Sequence, residues 1–227
     1  MKLDTYSDPA DIYTARGSEV NPNRPYFTGD VFRASSAPEG ELGDMSMIVA
    51  HPCSFRVGSQ LAERVLVVRV ESTQKVGPGA WQTGYFDRMP LPNLDGAGTW
   101  IGIFSELSQA PTSELLGATR IACLSEIGIN ILQQRLTYHL TRTEIPTHIF
   151  NQAFSHTLEE ADLLEDWTDG LGSKGWDRAA SALAFETFMR AGDPSMQDQL
   201  LDAQRRSSVR AACKAEAKRL AAGAPTT

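Results

Sequence analysis

Cysteine is scarce in this sequence, and the few cysteines are not paired. The 227 residues include three, Cys53, Cys123 and Cys213, with no CxxC spacing among them. An odd number of widely separated cysteines argues against a disulfide framework, which uses even sets in short secreted chains. The sequence therefore predicts free thiols in a reducing compartment.

Long apolar segments are missing as well. Residues 1–23 are polar and lack the apolar centre of a signal peptide, and no later run approaches the length of a membrane span. We therefore expect a cytoplasmic protein that does not interact with a membrane.

Positive charge is in deficit. The chain has 21 Lys and Arg against 28 Asp and Glu, a formal charge of −7. This balance disfavours a protein that coats nucleic acid through its overall field, so RNA binding would have to depend on a local basic patch. No set of residues has the spacing of a metal site, and we expect neither a metal nor another cofactor.

The hydrophobic pattern changes from strands to helices along the chain and predicts an α+β fold. We expect an irregular N-terminal arm over residues 1–24, a β-barrel core over 25–125 and about four helices over 126–222. The predicted strands share short runs of β-branched or apolar residues, and they cover residues 26–34, 47–50, 65–70, 100–104 and 119–124. Ser125 is a good N-cap for the first helix.

The helical region separates its charges. The second predicted helix is acidic, which is typical of a solvated helix face, and the last is basic. The basic side chains of the last helix are Arg205, Arg206, Arg210, Lys214, Lys218 and Arg219. Charge complementarity between helices, within one chain or between copies, is the simplest interpretation, and phosphate binding by Arg205, Arg206 and Arg210 is the alternative.

The chain is organised around the segment from Met45 to Arg56. An apolar strand ends there, and His51, Cys53 and Arg56 follow within six residues. Side chains at a strand end are held by the sheet and can face a cleft. These residues are either structural, as a Cys beside an apolar strand usually is, or catalytic. Catalysis would use His51 as a general base or acid, or Cys53 as a thiolate beside Arg56.

A proline-containing loop over residues 80–97 contains several aromatic side chains, among them Trp81 and Tyr85. Large aromatic side chains in a long loop more often attach it to the core than recognise a ligand. Binding through Trp81 and Tyr85 is the second interpretation.

The order of strands and loops resembles the small barrels of MazF/PemK-type toxins over residues 25–142. The first strand opens with Gly29-Asp30-Val31, as in that family, and His51 stands where the family has a Ser or Thr. The segment His51–Arg56, HPCSFR, also resembles a group of uncharacterised actinobacterial proteins with an HPCSxR core. The toxin resemblance implies an SH3-like barrel, a C-terminal helix and a homodimer.

The sequence departs from that family where the toxins cut RNA. Toxins of this type use a basic residue in the loop that corresponds to residues 34–44, and this loop has Glu39, Glu41 and Asp44 instead. These carboxylates would repel a phosphate backbone.

Three functions therefore remain open. In the first, the barrel is a non-catalytic binding subunit of an assembly derived from a toxin–antitoxin system, a mobile element or phage defence, with a protein partner or a second copy. In the second, it is a metal-independent endoribonuclease that uses His51 and Arg56, with Arg33 or Arg69 as a further candidate in the cleft. In the third, it is a thiol-dependent enzyme that uses Cys53 with His51.

Overall fold

The structure, a computed structural model, describes residues 2–35, 44–57, 60–96 and 98–223, except for the side chains of residues 57 and 60. It confirms the α+β fold class, and its antiparallel sheet is a curled half-barrel. The strands are, in chain order, β1 (Tyr13–Arg16), β2 (Val31–Arg33), β3 (Met45–Ile48), β4 (Arg56–Val57), β5 (Gln60–Leu61), β6 (Arg64–Thr73), β7 (Arg88–Pro92), β8 (Thr99–Pro111) and β9 (Thr119–Leu124).

The helices are α1 (Pro52–Phe55), α2 (Pro78–Thr83), α3 (Thr112–Gly117), α4 (Glu126–Thr141), α5 (Thr147–Gly172), α6 (Arg178–Met189), α7 (Met196–Leu200) and α8 (Arg206–Ala222). Two short 3₁₀ helices, Pro9–Ile12 and Gly17–Glu19, flank β1. The last predicted helix is therefore two helices, α7 and α8, rather than one.

The chain forms two compact units. The first contains the main sheet with α1 to α4, and the second contains the helical segment from Phe154 onward together with Asn23–Pro25. The first predicted helix, α4, belongs to the sheet unit because it packs on β7, β9 and the first 3₁₀ helix.

Seven strands form the main sheet in the order β1-β9-β2-β3-β6-β8-β7, and β4 pairs with β5 separately. Each of the five predicted strands overlaps an observed strand. β6 and β8 are longer than expected, β2 is shorter, and β3 begins and ends two residues earlier than predicted. A cluster of apolar side chains packs around the β3–β6 pair, and its members are Phe32, Ile48, Ala50, Phe55, Val65, Val67, Ala110 and Leu115.

The N-terminal arm is more regular than its sequence suggests. Its strand β1 pairs with β9 and forms one edge of the main sheet. The arm also approaches α4 closely. A Cβ added at Gly128 would overlap the carbonyl oxygen of Ile12, so the contact is possible only with glycine at this position. Tertiary packing thus orders a segment with weak local preferences.

The predicted loop over residues 80–97 contains α2 and the edge strand β7. Pro90 and Pro92 hid this strand from sequence reasoning, since proline lacks the N–H that a strand with two neighbours needs. At the edge of the sheet one row of N–H groups has no neighbouring strand, and proline is tolerated there.

The turn before β2 needs a glycine. Gly29 has φ +86°, and a Cβ there would lie 2.7 Å from side-chain atoms of Leu124. The next residue, Asp30, is 1% exposed, accepts the N–H of Phe27 at 2.9 Å and pairs with Arg120 at 2.8 Å. The Gly-Asp pair therefore closes the turn and joins β2 to β9.

The helical unit has its own core. Its buried members are Leu163, Trp167, Leu171, Phe185, Met189, Leu200, Val209 and Cys213. Trp167 packs against Phe185 and Phe188, and its Nε1 donates to the carbonyl oxygen of Ser181 at 3.1 Å.

Candidate functional site

The segment that follows β3 is anchored on both sides. Thr28 donates its hydroxyl to the carbonyl oxygen of Ala50 at 2.5 Å, and the N–H of Val49 donates to Leu66 at 3.1 Å. Val49 and Ala50 are buried. His51 therefore leaves the sheet at a fixed position and is half-buried.

His51 caps the short helix α1. It has φ −68° and ψ 140°, and its Nδ1 accepts the main-chain N–H of Cys53 at 3.2 Å. Pro52 occupies the first turn of the helix, where a missing N–H has no cost. Ser54 completes the turn by donating both its N–H and its hydroxyl to the carbonyl oxygen of His51.

This hydrogen bond selects one tautomer of the neutral ring. A nitrogen that accepts an N–H uses its lone pair, so the proton of the neutral imidazole lies on Nε2. His51 in this arrangement has no basic lone pair on Nε2, and a proton added to Nδ1 would break the cap.

Cys53 and Arg56 lie on the same turn as His51. Cys53 is exposed, and its contact with His51 is made through the main-chain N–H. Arg56 is half-buried and follows the last residue of α1, where its N–H donates to the carbonyl oxygen of Pro52. Phe55 between them packs into the sheet core.

The two other arginines assigned to this cleft lie on neighbouring strands. Arg33 is exposed at the end of β2, with Nη2 4.0 Å from the sulfur of Met45. Arg69 on β6 is half-exposed and pairs with Glu71 at 2.8 Å and with Glu106 at 2.9 Å. Two carboxylates therefore surround Arg69, which weakens its attraction for a phosphate.

The two aromatic binding candidates differ in exposure. Trp81 is 1% exposed and lies 5.1 Å from the ring of Tyr85, which is 44% exposed and has φ +54°. The guanidinium of Arg135 lies 5.5 Å from the centre of the Trp81 ring. Trp81 therefore attaches α2 to the core, and Tyr85 presents part of its ring to solvent.

The three arginines of the candidate phosphate patch have contacts within the helical unit. Arg205 lies 3.6 Å from Asp202, and Arg206 donates to Ser155 and to the carbonyl oxygen of Leu200. Arg210 forms two hydrogen bonds with Glu159, and this pairing raises the pKa of Arg210. Complementarity between the acidic and basic helices, expected from the sequence, occurs here.

The acidic face of α5 is less solvated than its sequence suggests. Glu159 is 8% exposed, and the buried Arg24 lies 2.9 Å from Asp162 and 2.6 Å from Glu165. Burial lowers the pKa of Arg24, but the hydrogen bonds and charges of these carboxylates outweigh it and raise the pKa overall. The carboxylates form ion pairs with arginines that are distant in sequence, Arg24 and Arg210. Helical periodicity does not reveal such pairs, so the sequence predicts a more solvated face than the structure has.

A groove of about 760 Å³ lies between α5 and α8. Its lining includes residues that the sequence did not suggest as members of a site, namely Asp162, Leu163, Asp166, Trp167, Gly170, Lys214, Ala217 and Lys218. The i,i+4 spacing of Asp162 with Asp166 and of Lys214 with Lys218 is visible in the sequence. The juxtaposition of the two helices is not.

No known protein-family model matches the chain, and no curated protein matches it either. Within the described ranges, His, Cys, Asp and Glu side chains form no group that could hold a metal ion. None of the helices described is long and apolar enough to cross a membrane.

Proposed function

We propose that the chain is a non-catalytic binding subunit whose sheet unit is a degenerate SH3-like barrel of the MazF/PemK type. Its assembly would derive from a toxin–antitoxin system, a mobile element or phage defence. The antiparallel strands between Val31 and Leu124, followed by α4, support the resemblance in fold. The differences at the candidate site support a loss of the toxin chemistry.

The observation that carries the proposal is the hydrogen bond from the N–H of Cys53 to Nδ1 of His51. Cleavage of RNA without a metal needs a base that removes the proton of the ribose 2′-hydroxyl. With Nδ1 engaged and the proton on Nε2, the imidazole has no lone pair to offer a substrate. The geometry instead gives His51 a structural role as a helix cap, which Asn, Asp and Ser perform in other proteins.

The remaining site residues are consistent with this role. The Gly29-Asp30 pair closes a turn, with Asp30 buried against Arg120. Arg69 is paired with Glu71 and Glu106. The cationic groups that would stabilise a phosphorane are thus used in part for contacts within the protein.

The proposal is tested with the purified full chain and its His51→Asn variant on single-stranded RNA in EDTA. Asparagine keeps an acceptor for the N–H of Cys53 and removes the imidazole. We expect no cleavage above the buffer control by either protein. Cleavage by the wild type that His51→Asn abolishes, with the fold unchanged by circular dichroism, would instead establish the ribonuclease.

The binding role is tested by size-exclusion chromatography of the tagged chain in native extract of its own cells. We expect the chain to elute in a stable complex with another protein. A chain that elutes as a monomer in extract, and that stays monomeric at high concentration after purification, would contradict the proposal.

A further inference from the structure

We propose that the groove between α5 and α8 is the docking site for an amphipathic helix of a protein partner. The partner helix would carry an apolar stripe with basic side chains along one flank and acidic side chains along the other. This inference depends on the proposed binding function and specifies the site and the chemistry of the partner.

The two helices that form the groove run in parallel. Arg206 contacts Ser155, and one turn later Arg210 contacts Glu159. In both pairs the two residues are 51 positions apart, and this constant separation shows that the two helices advance in the same direction. Beyond the second pair, Leu163 of α5 and Cys213 of α8 both belong to the core of the helical unit, and both also line the groove.

The floor of the groove is apolar, and much of it is small. Leu163 and Trp167 of α5 form one side, and Cys213, Ala217 and Ala221 of α8 form the other. Gly170 lies at the end of the groove, and a Cβ added there would meet no atom within 4 Å. Small residues let the backbone of a docked helix approach closely, so that its large apolar side chains fill the space between α5 and α8.

The walls of the groove have opposite charge. Asp162, Asp166 and Asp169 follow one another along α5 at spacings of four and three residues. Lys214 and Lys218 are one turn apart on α8. Asp166, Lys214 and Lys218 are exposed, and none of these three side chains has an ion-pair partner in the part of the chain that the structure describes.

This distribution of charge selects the class of ligand. The carboxylates spread over about 10 Å of helix, at about 1.5 Å per residue, rather than converging on one point. A metal ion or a small anion needs convergent groups of one sign, and an RNA backbone would be repelled by the acidic wall. Charges at i and i+4 on both walls match the flanks of a helix laid along the groove.

The opposed walls also determine the direction of the partner. Turning an amphipathic helix end for end, with its apolar stripe still on the floor, exchanges its left and right flanks. A helix with one basic and one acidic flank therefore forms ion pairs on both walls in only one direction. A helix with two flanks of the same sign is repelled by one wall in either direction.

The test uses fluorescently labelled helical peptides of about 16 residues, a length at which stapling is needed for stable helicity in water. All share one leucine stripe, and their flanks are Lys and Glu, Glu and Glu, or Lys and Lys. We expect the mixed peptide to bind the full chain at least about tenfold more tightly than either other peptide, with affinity that falls as salt is added. Equal affinity of the three peptides, or no binding of the mixed one, would overturn the inference.

A matched pair of glycine variants locates the site. Gly170→Leu places a side chain in the groove, whereas Gly172→Leu places the same side chain two residues later on α5, outside the lining residues. Neither added Cβ meets an atom within 4 Å, so both variants should fold. We expect Gly170→Leu to weaken the mixed peptide at least about tenfold and Gly172→Leu to leave its affinity unchanged.

The same two variants separate this inference from the proposed function. If Gly170→Leu loses the native complex and Gly172→Leu keeps it, the result supports the binding function and the groove as its site. A native complex that survives in Gly170→Leu keeps the binding function and overturns the groove as its site. Dimers of the purified wild-type chain that only Gly170→Leu dissociates would assign the groove to a second copy and overturn the helical partner.

Discussion

Arg135 holds the carbonyl oxygen of Trp81 at 2.8 Å while its guanidinium lies over the ring of the same residue. The side chain is fully buried and also donates to the carbonyl oxygens of Gly84, Tyr85 and Arg88. Burial lowers the pKa of Arg135 to about 10. One cation on α4 thus donates hydrogen bonds to α2, to the connection that follows it and to the first residue of β7, a segment that contains the candidate binding residues Trp81 and Tyr85.

Arg135→Lys should destabilise the protein by about 1–3 kcal/mol, because an ammonium cannot reach all four carbonyl groups and a buried acceptor such as the carbonyl oxygen of Trp81 then loses its donor. The measurement is urea unfolding followed by fluorescence. Arg190→Lys is the control, since Arg190 makes an exposed ion pair with Glu186. A loss no larger than that of the control would mean that the carbonyl groups are satisfied without Arg135.

His51→Ala should lower stability by about 0.5–2 kcal/mol, the usual cost of removing a side-chain N-cap. His51→Asn should retain most of the wild-type stability because its side-chain oxygen can accept the N–H of Cys53. Thermal unfolding of the three proteins gives the order. If Asn and Ala are equally destabilising, the hydrogen bond seen at Cys53 does not stabilise α1.

Gly29→Ala should be more destabilising than Gly17→Ala. Both glycines have positive φ, so both variants lose about 1–2 kcal/mol through backbone strain. Only at Gly29 does the new methyl group also collide with Leu124, since a Cβ at Gly17 meets nothing within 4 Å. Denaturant unfolding of the two variants isolates the steric contribution. Equal losses would show that the turn before β2 can move away from β9.

Cys53 should react with iodoacetamide at neutral pH well before Cys213. Cys53 is exposed, whereas Cys213 is 3% exposed and burial raises its pKa to about 11. Mass spectrometry of the alkylated peptides after short reaction times measures both rates. Fast modification of Cys213 would mean that α8 detaches readily from the helical core.

The buried Cys213 also gives a pH dependence. Because burial raises the pKa of Cys213 to about 11, the folded protein retains this proton up to a pH of about 11, while the pKa of the same thiol in the unfolded chain is near 9.0. Because the unfolded state binds fewer protons between these values, the contribution of Cys213 to stability falls as the pH rises from 9 to 11. Stability of the wild type relative to Cys213→Ala should therefore decline over that range. A constant difference between the two proteins would contradict the burial of the thiol.

The strands with strong local patterns could be predicted from the sequence. The sequence predicts strand β9 with its observed bounds, Thr119–Leu124, and Ser125 caps α4 as expected by accepting the N–H of Gly128 at 3.2 Å. Strand β1 was missed because its four residues owe their order to pairing with β9 and not to local preference.

Long-range pairing explains the rest of the site. The positions of His51, Cys53 and Arg56 after a buried strand were predictable, but the role of the imidazole depends on one rotamer and one main-chain N–H. Likewise, the sequence shows that α5 is acidic and α8 is basic. It does not show that Glu159 forms an ion pair with Arg210. It also does not show that Asp166 and Lys214 line the groove from its two sides.

The edge strand β7 has a consequence for self-association. Pro90 and Pro92 are two residues apart on this strand, so two main-chain N–H donors are missing from the same side. The carbonyl oxygen of Arg88 already accepts a hydrogen bond from Arg135. An extended segment that added to this edge would lose several of its ladder hydrogen bonds. Continuous sheet growth past β7 by further copies of the chain is therefore disfavoured, and fibril formation through this edge would have to proceed without those hydrogen bonds.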